Sequence, residues 1–157
     1  MSVCSQSLAP IREPNAIEGR LIVDRTPRRR LNVLFVDDCV AERDLYQSVL
    51  EPEFDILTAS RGDQGVALAA QHHPDVIVLD VMMPEIDGWE TCRRIKSNAA
   101  TVDIPVLMLT GADDPDFARH AKAVWASALL HKPCSGGSLR AAILTAWERA
   151  AHDREFH

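Results

Sequence analysis

The sequence predicts an α/β fold with a parallel sheet covered by helices on both faces. Three observations carry that prediction. Five short apolar runs rich in Val, Ile and Leu lack polar alternation, which suits strands buried on both faces. Between them lie stretches whose apolar residues recur every three or four positions, the period of an amphipathic helix. The two kinds of segment alternate five times, which implies right-handed crossovers between parallel strands.

The elements follow in order. The first run, 31–36, reads LNVLFV and ends in Asp37-Asp38. A helix is expected near 40–50, with Ala41, Leu45 and Val49 as its apolar stripe. A weaker run over 54–58 follows, then a short Ala-rich helix over 63–71. The third run, 75–80, reads DVIVLD and ends in Asp80. Trp89, Cys92 and Ile95 keep helical spacing after Asp87-Gly88. The fourth run, 104–110, ends in Thr110, and Pro115 suits the first position of a helix reaching about Val124. The fifth run, 127–131, stops before Lys132-Pro133. Leu139, Ile143, Trp147 and Ala150 then form the stripe of a last helix. Residues 1–30 hold Pro10, Pro14 and Pro27 and little periodicity, so they are expected to form a flexible extension whose one apolar patch is Leu21-Ile22-Val23. A short tail is expected over 152–157.

Composition narrows the function classes. A chain of 157 residues, 46% apolar and 25% charged, has room for one globular domain. The net charge of −6 divides into about +3 over 1–30 and −9 over the remainder. An acidic body lacks the clustered Lys and Arg that phosphate contacts need, so nucleic acid is not an expected partner. Arg28, Arg29 and Arg30 read as a solvated segment before the first strand. Cysteines at 4, 39, 92 and 134 form no CxxC, which argues against zinc and against a disulfide scaffold. Without a membrane-length apolar run or a signal-peptide pattern, the expected setting is a reducing cytoplasm and no membrane partner.

The chemistry lies at the strand ends. Ligands of open α/β sheets bind beyond the carboxyl ends of the strands, where strand order reverses. Asp37-Asp38, Asp80, Thr110 and Lys132 end four strands, so three carboxylates, a hydroxyl and an ammonium should converge there. Carboxylates packed together raise one another's pKa or require a cation, and an all-oxygen site of this kind suits Mg²⁺. The cation would leave one carboxylate as a nucleophile, while Lys and Thr share the charge of a transferring phosphoryl group. These residues suggest an acyl-phosphate site. Taken singly, a strand-terminal Asp is more often a helix cap, Thr110 a turn residue and Lys132 a solvated cation.

Val36-Asp37-Asp38, Leu79-Asp80-Val81-Met82-Met83-Pro84 with Asp87-Gly88, Leu109-Thr110-Gly111 and Lys132-Pro133, in that order, resemble the receiver domain of two-component response regulators. The resemblance spans about 31–151. It implies a flavodoxin-like (βα)5 fold with strand order 2-1-3-4-5. It implies Asp80 as phosphoacceptor and Mg²⁺ held by Asp37, Asp38, Asp80 and the backbone carbonyl of Met82. It implies that Thr110 and Lys132 bind the phosphoryl group, that Ala112 and Met82 flank it, and that the Lys132-Pro133 bond is cis. It also implies a histidine kinase or histidine phosphotransfer protein as donor and an unidentified downstream protein as target. A homodimer stays open. Few residues follow Ala151, so a stand-alone receiver is expected, a switch rather than an enzyme.

Three positions depart from the family pattern. Leu129 stands where an aromatic usually couples the site to the output face. Trp125 stands where Gly often ends the fourth helix, which suggests a different helix end and a possible output surface at Trp125 and Leu129. Cys134 follows Pro133, and Cys39 follows Asp38, so both thiols are expected near the pocket, where packing as small hydrophobes is favoured over a redox switch. His72, His73 and His120 read as surface residues. The competing functions are a pseudo-receiver that works without phosphorylation and a phosphorelay shuttle or phosphate sink without conformational output. A hydrolase of the haloacid dehalogenase type is discounted, because Asp80-Val81-Met82 lacks the second Asp that class requires.

Overall fold

The structure is a computed structural model that describes residue 27 and residues 29–156. The expected flexible extension, with Leu21-Ile22-Val23, lies almost wholly outside the described residues. Five strands and five helices alternate: β1 Asn32–Val36, α1 Val40–Leu50, β2 Asp55–Ala59, α2 Gly62–His72, β3 Val76–Asp80, α3 Gly88–Lys96, β4 Val106–Thr110, α4 Phe117–Ala123, β5 Ala128–His131 and α5 Gly136–Phe156. All strand pairs are parallel and the order is β2-β1-β3-β4-β5, as the resemblance implies. This is the flavodoxin-like arrangement.

Side-chain alternation along each strand feeds two cores. Val33, Phe35, Val76, Val78, Leu107 and Leu109 face one side, where they pack with Tyr46 and Leu50 of α1 and Leu139, Ile143 and Ala146 of α5. Leu34, Val36, Ile77, Leu79, Val106 and Met108 face the other side and meet Ala69 of α2 and Cys92 and Ile95 of α3. Every residue of β3 and β4 is buried, which explains why their runs show no polar alternation.

The first helix forms where expected, but it buries a different face from the Ala41-Leu45-Val49 stripe. Leu45 and Val49 are 58% and 42% exposed, and Ala41 is also exposed, while Tyr46 and Leu50 are buried. Tyr46 decides the rotation. Its ring stacks on Phe35 at 5.4 Å between centroids, and its hydroxyl accepts the backbone N–H of Cys134 at 3.3 Å. Burying that ring outweighs burying Leu45 or Val49.

Other boundaries moved for identifiable reasons. The fourth helix starts at Phe117, not Pro115. The Asp114 side chain and carbonyl accept the N–H groups of Asp116 and Phe117, and this turn holds 115–116 outside the helix. The last helix runs to Phe156, so the expected tail over 152–157 is helical as far as the structure describes it. Arg29 and Arg30 are not simply solvated. Arg29 donates twice to Asp75, both at 2.7 Å, and Asp75 also accepts the Asn32 N–H. Arg30 binds Asp55 and the carbonyls of Glu51, Pro52 and Phe54. Together they fasten the chain to the starts of β2 and β3.

Trp125 was expected to make α4 end differently from a Gly stop. Instead it takes the left-handed conformation itself, with φ 63°. Its N–H donates to Lys122 and that of Ala126 donates to Ala121, the paired closing bonds of a Schellman motif. An L side chain in this conformation costs on the order of 1 kcal/mol, and an indole 78% exposed recovers little of it by burial. Trp125→Gly should therefore raise unfolding stability by about 1 kcal/mol in urea titrations.

Gly88 marks a close approach. A methyl group there would lie 2.3 Å from the Asp80 carbonyl oxygen and 2.7 Å from the Val81 Cα. Gly88→Ala should cost about 1–3 kcal/mol of stability by pushing α3 off the end of β3, read by the same titrations.

Candidate functional site

Strand order reverses between β1 and β3, which run out side by side at the centre of the sheet. Asp37 and Asp38 directly follow β1, and Asp80 is the last residue of β3. Thr110 ends β4, and Lys132 directly follows β5. The five side chains expected from the sequence therefore leave the same edge of the sheet. Asp37 and Thr110 are fully buried, Asp80 is nearly so, and Asp38 is exposed. One carboxylate oxygen from each of Asp37, Asp38 and Asp80 lies within 4.8 Å of the others.

Lys132 binds into this cluster. Its Nζ lies 3.2 Å from Asp37 Oδ2 and 3.3 Å from Asp80 Oδ1, and the Lys132-Pro133 bond preceding the next loop is cis. The same Nζ lies 2.5 Å from Glu42 Oε2, on the first turn of α1. Backbone donors complete the shell. Asp37 Oδ1 accepts the Cys39 N–H at 2.9 Å, and Asp80 Oδ1 accepts the Met82 N–H at 3.3 Å. Arg43 donates to the Asp37 carbonyl at 2.8 Å. Thr110 Oγ1 accepts the Ala112 N–H at 3.0 Å, so its hydroxyl is engaged with its own loop.

Burial dominates the electrostatics. It pushes the Asp37 carboxyl up to about 6, and the nearby Asp80 charge adds to the rise against the pull of the Cys39 N–H and Lys132. Asp80 is likewise raised, first by burial, with Lys132 pulling the other way. The hydrogen bond from Lys132 holds Glu42 below the usual carboxylate range, despite some desolvation. The Lys132 ammonium is held up by Glu42, Asp80 and Asp37, which together outweigh its own burial. A single cation thus leaves the carboxylates imperfectly balanced. Their all-oxygen donor set fits a hard divalent ion, which would remove the repulsion.

The remaining expected residues lie at the margins. The Met82 side chain is exposed beside Asp80. Leu129 is half-buried and packs on the α2–α3 core, paired with Met108 across the sheet. Trp125 is at the opposite end of the sheet from Asp80, in the lining of an open cavity of about 1000 Å³ with Lys96, Asp103, Arg149 and Arg154. The Cys39 thiol is exposed, whereas burial pushes that of Cys134 up and away from the reactive thiolate. His73 takes the left-handed position at the end of α2, and His120 stacks against Trp89 and Phe117.

Sequence reasoning missed two features. Glu42 carries no motif; its place one helical turn beyond Asp38 was the only available signal. Trp89 meets Phe117 edge-on at 5.4 Å, which joins α3 to α4 beside the strand end that bears Asp80.

Comparison with known proteins agrees with this geometry. The model of the response regulator receiver domain matches residues 33–144. Protein PilG of Pseudomonas aeruginosa is 35% identical over 114 residues, which cover 72% of this chain and 84% of PilG. The DNA-binding dual master transcriptional regulator RpaA of Synechocystis is 46% identical over 79 residues, half of this chain but only 33% of RpaA. Among solved structures, the Vibrio cholerae chemotaxis protein CheY4 superposes with a TM-score of 0.71 at 29% identity, covering 75% of this chain and 99% of that one. A response regulator receiver domain protein from Clostridium thermocellum gives 0.71 at 30% identity, covering 76% and 95%. The chain belongs to the response regulator receiver family.

The raised Asp37 pKa has a measurable sign. Between pH 4.5 and 6 the folded state binds more protons at Asp37 than the unfolded chain, so stability falls as pH rises through this window. Asp80 acts in the same direction. The lowered carboxyls, Glu42 and Asp75, contribute stability that is lost only as pH falls below their unfolded values, beneath this window. Urea midpoints in metal-free buffer should therefore be higher at pH 5 than at pH 7, and Mg²⁺ should shrink the difference.

Proposed function

We propose that the protein is a phosphoacceptor switch in which Asp80 takes a phosphoryl group from a phosphohistidine of a histidine kinase or phosphotransfer protein. The observation that carries this reading is the convergence of Asp37, Asp38, Asp80 and Lys132 at the strand-order reversal of a receiver fold. One Asp80 carboxylate oxygen attacks phosphorus. The phosphorus–nitrogen bond breaks, its electron pair stays on the imidazole, and that nitrogen takes a proton from solvent. The product is an acyl phosphate on Asp80 and a free donor histidine. Attack of water on phosphorus later returns the carboxylate and inorganic phosphate.

Asp37, Asp38, Asp80 and the Met82 backbone carbonyl would hold Mg²⁺, which supplies charge neutralisation for the transferring oxygens. Lys132 is already within reach of Asp80 and would pair with a phosphoryl oxygen. Thr110 would give up its Ala112 contact to donate its hydroxyl to the same group. The chain's own residues assist transfer and hydrolysis at Asp80, yet the protein is a switch that changes state rather than an enzyme that turns over an external substrate. Among the described residues, no helix is long and apolar enough to cross a membrane. Membership of the receiver family supports a cytoplasmic signalling role.

A second reading has its own support. Leu129 is smaller than the aromatic it replaces and packs into the core, which favours a shuttle or phosphate sink with little movement at the surface. A pseudo-receiver is opposed by the intact acidic cluster. Incubation with labelled acetyl phosphate and Mg²⁺ should place an acid-stable, hydroxylamine-sensitive phosphoryl label on the wild type and none on Asp80→Asn. Persistent label on that variant would overturn the assignment. Trp fluorescence with beryllofluoride then separates the two readings, since Trp89 lies at the α3–α4 contact. A saturable change marks a conformational switch, and binding without one marks a shuttle or sink.

A further inference from the structure

The first turn of α1 places a fourth carboxylate at the phosphoryl site, and none of the roles above accounts for it. Glu42 makes the shortest of the three Lys132 contacts, at 2.5 Å, against 3.2 Å for Asp37 and 3.3 Å for Asp80. Its side chain is 41% exposed, whereas that of Lys132 is 13% exposed. Glu42 thus sits at the rim, with the ammonium drawn between it and the buried pair. It is absent from the carboxylate trio whose oxygens lie close enough to share a cation.

Charge and geometry together limit what Glu42 can do. A divalent cation held by Asp37 and Asp80 would compete with the ammonium for these carboxylates, and Lys132 would then draw on another partner. Glu42 supplies one already in contact. A phosphoryl group on Asp80 reverses the requirement, because its oxygens must win Lys132 away from Glu42. At that stage the Glu42 charge also repels the dianion in a partly desolvated pocket.

We propose that Glu42 is a positioning residue that holds the Lys132 ammonium at the pocket rim, favouring the metal-loaded, unphosphorylated state over the phosphorylated one. This rests on the phosphoryl-site reading above and adds to it a residue that sets the balance between its two states. Glu42 is held low in pKa by the same hydrogen bond, so it is charged throughout the neutral range.

The test measures two equilibria in the full-length protein by calorimetry and Trp fluorescence: Mg²⁺ alone, and beryllofluoride at saturating Mg²⁺. Glu42→Gln keeps side-chain size and helix position while removing the charge. It should weaken Mg²⁺ binding and tighten beryllofluoride binding, each by about three- to fivefold, the scale of a half-exposed ion pair. Generic damage to the fold would weaken both, so the opposite signs distinguish a positioning role. In a Lys132→Met background, the effect of Glu42→Gln on Mg²⁺ should shrink, since the partner it positions is gone. A wild type that binds both ions, with Glu42→Gln unchanged or weakened in both, overturns the inference alone. So does an undiminished Mg²⁺ effect in the Lys132→Met background. A wild type that binds neither ion overturns the phosphoryl-site reading and this inference with it.

Discussion

One ammonium shared among several carboxylates, two of them buried, is the interaction on which the site depends. Asp37 and Asp80 end neighbouring central strands, so the sheet itself forces their charges together. Lys132 comes from the far edge of the sheet and crosses above β3 and β4 to reach them. Burial first, and the neighbouring Asp80 charge second, push the Asp37 carboxyl up to about 6 despite Lys132. A fold selected for stability alone would replace such a cluster with apolar residues. The cluster therefore costs stability relative to apolar packing of the same volume.

The rest of the fold is arranged to keep that edge fixed. Two cores grip the sheet from opposite sides, and β3, which ends in Asp80, is buried along its full length. Gly88 lets α3 press directly on the Asp80 backbone. At the other end of the sheet, Arg29 and Arg30 tie the approach of β1 to Asp75, Asp55 and the turn before β2. A strand end held in this way offers a well-defined set of oxygens, and definition of geometry is what phosphoryl transfer demands of a protein.

Two packing features stand out on β5 and α3. Leu129 packs into the α2–α3 core without the size of a ring. Trp89, one residue beyond the Asp80–Gly88 contact, carries ring contacts to Phe117 and His120 of α4. These ring contacts tie α3 to α4. The engaged Thr110 hydroxyl, bound to Ala112, is the element that must move if phosphorylation is to be felt there.

The sequence by itself determined the alternation of five strands and five helices, the two-faced burial of the central strands, and Asp37, Asp38, Asp80, Thr110 and Lys132 at one edge. These are properties of local period and strand ends, which short runs of residues encode. Tertiary structure alone decided which face of α1 is buried, because Tyr46 competes with Leu45 and Val49 through contacts to β1 and the loop after β5. It also decided that Trp125 would close α4 in a left-handed conformation, since two backbone hydrogen bonds outweigh the strain on one residue. Glu42 became part of the site for the same reason. Its partner lies 90 positions away, and no local pattern announces an ion pair formed only when β5 is laid beside β4 and Lys132 is carried across to β1.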